Sequence, residues 1–285
     1  MHATVRRSRN HREHALSSLA TILPAAAAGE GEGFHAPTIA DFFPAPFLLE
    51  GTFLEVNRIQ LVRLLVAVVL VVLMVLVARR ARLVPGRAQN VVELLLDFVR
   101  INVAQEILGD KGRKYVPLLT TLFFAILAFN ITGVIPFLNI AGTSLIGLPL
   151  VMAIWVYVMY LGAGIRAQGV GGFLKSNLFP PGVPTFMYVL LTPIEFLTVF
   201  ILRPATLALR LMANMVAGHL MLVLTFSATQ FFLLEASGGL KVFGALTFVS
   251  GIALTLFEVF VAALQAYIFV VLTAVYLNLS VEAEH

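Results

Sequence analysis

Residues 235–241 read EASGGLK, and they separate two long apolar segments, 185–234 and 240–280. The paired glycines, Gly238 and Gly239, mark a turn. As straight helices the two segments would run about 75 Å and about 60 Å at 1.5 Å per residue. A bilayer core is only about 30 Å thick. The second segment contains no proline, so it resists division into two crossings. It must tilt strongly or extend beyond the membrane. Pro193 and Pro204 can bend the first segment. The expected fold at this end is an antiparallel hairpin of two overlong helices.

The rest of the composition agrees with a membrane setting. Of the 285 residues, 60% are hydrophobic and 12% charged, against about 25% charged in soluble domains. Mean hydropathy is +0.96. The fold class that follows is an all-α polytopic membrane protein. It has about five membrane-inserted helices plus one amphipathic surface helix. The chain has no cysteine, which excludes disulfides and cysteine-ligated metal or redox centres. The formal charge of +4 reads as membrane topology. Nucleic-acid binding is not expected, because the basic residues are not interleaved with aromatics on a polar surface.

Three regions follow along the chain. Residues 1–34 form a basic, then Ala-rich tail, in the charge order of either a disordered arm or a processed leader. Residues 35–58 form an external segment, and 59–285 the membrane domain. Spans are expected at about 59–78, 116–138, 145–164, 185–234 and 240–280. Arg63, near the start of the first, is expected to snorkel to the interface. Residues 87–108 carry polar residues at helical intervals and read as the amphipathic helix. The Gly/Pro-rich stretch 165–184 reads as a loop. Basic residues crowd 79–115 and are absent from 37–56. By the positive-inside rule the N-terminus is outside and the C-terminus cytoplasmic.

Few ionisable residues interrupt the last two segments. Arg203 is expected at the headgroups. Arg210, His219 and Glu258 remain deep in apolar sequence, where each charge costs about 2.5–3.5 kcal/mol on insertion scales. A hairpin turn at Gly238–Gly239 makes equidistant positions face one another. His219 lies 19 residues before Gly238 and Glu258 lies 19 after Gly239. Arg210 and Gln265 pair similarly, one level deeper. Arg210 and Asn214 share a helix face flanked by Ala213 and Ala217, whose small side chains admit a close neighbour. His219 lies on the opposite face. Histidine beside a carboxylate suits proton relay; the same pair would also serve simply to pin two helices. Glu195 and Thr198 are candidates for an inner polar path, and Asn130 for an outer one. No metal site or nucleotide loop is expected: one histidine and one glutamate are too few for zinc, and GxxxxGK[ST] does not occur.

Two stretches, TLALRLMANMVAGH (206–219) and ALQAYIFVVLTAVYLNLSVEAEH (263–285), resemble the a subunit of the rotary F-type ATP synthase. The likeness extends over roughly residues 35–285. It implies a non-catalytic stator subunit that offers two offset proton half-channels to a rotating ring of c subunits, beside a peripheral stalk of b subunits. The family's essential arginine corresponds to Arg210. Its outer half-channel residues correspond to Asn214, His219, Glu258 and Gln265. The resemblance implies no cofactor. Some members carry the acid and the histidine in exchanged positions, and many have glycine where Ala213 stands. The rival classes are a proton-coupled secondary transporter, which usually shows internal repeats not found here, and a purely structural scaffold.

Overall fold

The computed structural model describes residues 57–82, 86–135, 138, 141–179, 182, 184–235 and 238–281. The expectations for the N-terminal tail and for most of the external segment lie outside these residues. Within them the chain is helical. α1 spans Arg58–Arg79 and opens on a capping box, in which Asn57 and Gln60 satisfy each other's backbone N–H groups. α2 runs Arg87–Val99, continues through a π-helical stretch Arg100–Gln105, and closes as Glu106–Leu108. Gly109, at φ +58°, ends it. α2 buries Val99, Val103 and Ala104 and leaves Val91 and Leu94 exposed, the two-sidedness of a surface-lying helix.

α3 is Val116–Ile131, shorter than the 116–138 span expected. It closes early because local groups take over its last carbonyls. The Thr132 hydroxyl donates to the carbonyl of Phe129 at 2.7 Å, and Gly133 N–H donates to that of Asn130 at 3.1 Å.

α4, Gly147–Leu178, corrects the expected loop at 165–184. Its helix continues to Gln168, and Gly169 then takes φ +73°, ψ 167°, a region open only to glycine. The following residues are helical again but run back along α4. Tyr160 Oη donates to Asn177 Oδ1 at 2.8 Å, across 17 residues that would span about 25 Å in a straight helix. Phe173 packs on Gly164, where any Cβ would overlap its ring. Glycines 169, 171 and 172 mark a turn, but the helix resumes because Phe173 has a pocket to fill.

α5 is a 51-residue helix, Thr185–Glu235. A π-helical turn, Thr198–Leu202, precedes Arg203–Gln230. Pro204 has no N–H to donate, which accounts for the widened turn before it. α6 spans Lys241–Val281, 41 residues. α5 and α6 form the expected hairpin. Leu233 meets Gly244 and Phe226 meets Gly251, each pair equidistant from the turn. Thr229 donates to Thr247 at 3.0 Å.

The second half of α6 lies against α3, α4 and α5 together. It buries Ala262, Ala266, Phe269, Val270, Ala274 and Leu277, and its alanines permit close helix approach. Among the described residues four helices, α1, α4, α5 and α6, are long and apolar enough to cross a membrane; α3 is the shorter apolar fifth. Arg63 does not snorkel. Its Nε donates to the carbonyl of Gly142 at 2.6 Å and its Nη2 to that of Leu145 at 3.0 Å, so it satisfies the α3–α4 loop.

The fold-back gives a direct test. Gly169→Ala has free space for its Cβ but a forbidden backbone, so it should cost about 1–3 kcal/mol. Gly171→Ala, also with space and in a helix, should be neutral or slightly stabilising. Thermal unfolding of the two purified variants checks the pair.

Candidate functional site

Arg210 stands at the midpoint of α5, 25 residues from either end of Thr185–Glu235. It is exposed, and so are Ala213, Asn214 and Ala217 on the same stripe. A cation is thus presented outward among small side chains, on a largely apolar helix. His219 is half-buried and turned away from that stripe.

Glu258 on α6 is only 3% exposed. Its carboxylate lies against Gly218, where a Cβ would sit 3.1 Å from Oε1. Glycine at 218 therefore makes room for the acid beside His219. Neither oxygen of Glu258 receives a hydrogen bond from a described residue, so His219 and Glu258 share a level without a direct hydrogen bond. A buried, unsatisfied carboxylate is costly, and the site suits a polar guest such as water.

Gln265 is 2% exposed. Its Oε1 accepts from Asn214 Nδ2 at 2.8 Å, and its Nε2 is buried with no partner among the described residues. The expected mate was Arg210. The structure gives Gln265 to Asn214, one turn nearer the hairpin turn; counted from Gly238–Gly239, Gln265 faces position 212, midway between Arg210 and Asn214.

Asn130 is fully buried on α3. It accepts from Thr143 Oγ1 at 2.6 Å and donates to the carbonyl of Ala262 at 3.5 Å. Ala262 lies between Glu258 and Gln265 on α6, so Asn130 abuts the same polar stretch while tying α3 to the following loop. Glu195 and Thr198 are half-buried near the start of α5. Twelve to fifteen residues of helix hold them about 18–22 Å from Arg210.

Arg203 was expected at the headgroups. Instead its Nη1 donates to Tyr160 Oη at 3.0 Å. Its guanidinium carbon lies 5.7 Å from the Tyr160 ring centre and 5.4 Å from that of Tyr276. Guanidinium over aromatic faces is a favourable arrangement. Tyr160 passes the hydrogen bond on to Asn177, so Arg203, Tyr160 and Asn177 form one chain joining α5 to the folded-back end of α4. Nearby, Gln168 donates to the carbonyl of Ser280 at 3.0 Å and accepts from Ser176 at 2.8 Å. Sequence reasoning missed this cluster. The polar run Lys175-Ser176-Asn177 was its one signal, and it read as a loop.

The family described as ATP synthase A chain matches residues 60–278. The chain belongs to the ATP synthase A chain family. A protein named ATP synthase subunit a from Rhodococcus erythropolis is 48% identical over 252 residues, covering 88% of this chain and 92% of its own. One of the same name from a Parafrankia species is 42% identical over 251 residues, covering 87% and 84%. That of Streptomyces lividans is 35% identical over 263 residues, covering 90% of each. This family member is accordingly a component of a multi-pass helical membrane assembly.

The Arg203 cluster makes its own prediction. Tyr160→Phe removes one hydroxyl and strands both its partners, so stability should fall by about 1–3 kcal/mol. Thr206→Ala loses only a hydroxyl bonded within its own helix and should change stability far less. Unfolding midpoints of the two variants compare them.

Proposed function

We propose that this chain is the proton-translocating stator subunit of an F-type ATP synthase, with Arg210 separating two half-channels that serve a ring of c subunits. The observation that carries this reading is the placement of Arg210. A permanent cation at the centre of a 51-residue apolar helix faces outward among Ala213, Asn214 and Ala217. Lipid is a poor neighbour for it. A passing ring carboxylate is a good one, and the small residues let that helix come close.

Guanidinium stays charged throughout the physiological pH range. It favours the ionised form of a carboxylate beside it. A protonated ring acid arriving at Arg210 therefore releases its proton toward the inner path, lined by Glu195 and Thr198. The same fixed charge repels a proton crossing directly between the half-channels. On the outer side His219, Glu258, Asn214 and Gln265 form the entry path, with Asn130 at its wall. The buried polar atoms of Glu258 and Gln265 support hydration there. His219 and Glu258 both exchange protons, and a water between them completes a relay.

The N-terminus is outside and the C-terminus cytoplasmic in this reading, in a bacterial plasma membrane, with b subunits of the peripheral stalk alongside. The chain breaks no bond itself; ATP chemistry belongs to partner subunits.

Arg210→Ala in the assembled enzyme should cut ATP synthesis and coupled proton pumping by about 10²-fold or more, the scale of losing one preorganised electrostatic group. Normal coupled rates in inverted vesicles would sink the proposal. At the outer path, Gly218→Ala should be tolerated by a small shift of the Glu258 side chain. Gly218→Val should displace that carboxylate and slow proton flux several-fold at unchanged assembly. Exchanging His219 and Glu258 should retain more flux than either single replacement; equal loss in all three would count against the relay.

A further inference from the structure

α3 and α4 each pack on α6 and scarcely touch one another. Between the start of α3 and the far half of α4 they leave a groove of about 510 Å³. That volume is in the range of about 300–1,000 Å³ typical of ligand sites. Among the described residues its lining includes two cations, Lys114 and Arg166, and no carboxylate. Val158 and Met159 form an apolar wall, and Gly162 and Ala163 a floor of small residues. Gly162 opens on free space, since a Cβ there would meet nothing within 4 Å. Lys114 is steadied by the ring of buried Tyr115, 4.8 Å from its Nζ.

We propose that this groove binds one anionic phospholipid, its phosphate between Lys114 and Arg166 and an acyl chain along Val158, Met159 and Gly162. Two features choose lipid over a soluble anion. The cations stand at the ends of adjacent antiparallel helices, at one membrane surface, where basic interhelical pockets take acidic headgroups. The apolar wall also continues into an exposed stripe on α4, with Val151, Ile154 and Val158 each about half exposed or more. That stripe belongs to a helix long and apolar enough to cross a membrane. A headgroup held by the cations would lay its chain along it. The inference rests on those two helix ends sharing a membrane surface, and not on the role of Arg210.

The test uses the whole assembled complex in nanodiscs of phosphatidylcholine with a trace of photoactivatable phosphatidylglycerol, the labelled peptides being mapped. Label is expected on residues 114–115 and 158–167. Each cation near a membrane surface contributes about fivefold to binding, so Lys114→Gln with Arg166→Gln should lower labelling about 25-fold. Lys114→Arg with Arg166→Lys should keep it within about twofold. Gly162→Leu, which leaves both charges, should reduce labelling by filling the groove. Four results would overturn the proposal: equal labelling by photoactivatable phosphatidylcholine, no loss in the double glutamine variant, full competition by inorganic phosphate, or a crosslink placing another subunit's helix in the groove. None of them bears on coupled proton pumping, so this inference and the proposed function fail separately.

Discussion

A guanidinium cannot shed its charge inside a membrane, and that constraint organises the helices around Arg210. Histidine and glutamate can neutralise themselves when buried; arginine must be given company. Here α5 turns Arg210 away from its own core, onto a stripe of alanines and Asn214. The titratable pair, His219 and Glu258, is placed on the other side, where α5 meets α6. One helix thus sets a permanent charge apart from a titratable pair, and Asn214, on the Arg210 stripe, links the two sides through Gln265. The proposed role of a stator facing a rotor carboxylate calls for such a separation. Arg203, the second arginine of α5, shows the other solution: its charge is sandwiched between Tyr160 and Tyr276 within the protein.

The separation depends on close packing at the second half of α6. Alanines at 262, 266 and 274 bring α6 against α3, α4 and α5. Polar groups then become reachable across helices: Asn130 reaches the Ala262 carbonyl, and Asn214 reaches Gln265. Gly218 extends the same device to the Glu258 carboxylate. In the first half of α6 contact is chiefly with α5, and Gly244, Gly251 and Glu258 are the residues buried there. The polar site sits where the two regimes meet.

Much of this was legible in the sequence because it depends on local chemistry. The lengths of α5 and α6 follow from unbroken hydropathy, and their register from counting outward from Gly238–Gly239. The choice of Asn214 over Arg210 as the mate of Gln265 was not legible, since counting from the turn places Gln265 opposite position 212, equally far from both. Nor was the fold-back at Gly169. A glycine announces a turn, but only Phe173 finding its seat on Gly164 makes the helix resume antiparallel. Arg63 and Arg203 were misplaced for a related reason. Arg63 lies near a helix end, from which arginine ordinarily reaches the interface, and Arg203 lies well inside α5; loop carbonyls hold the first and tyrosine rings from distant segments the second.

The central claim is that the Arg210 stripe meets the ring while the His219–Glu258 side does not. The chain has no native cysteine, so single cysteines can be read without background. The most direct measurement is oxidative crosslinking in the assembled enzyme, between a cysteine beside the ring carboxylate and one placed at Ala213 or at Ala262. The account predicts a crosslink from Ala213, on the exposed stripe, and none from Ala262, buried within the helix bundle. A crosslink from Ala262 with none from Ala213 would contradict it.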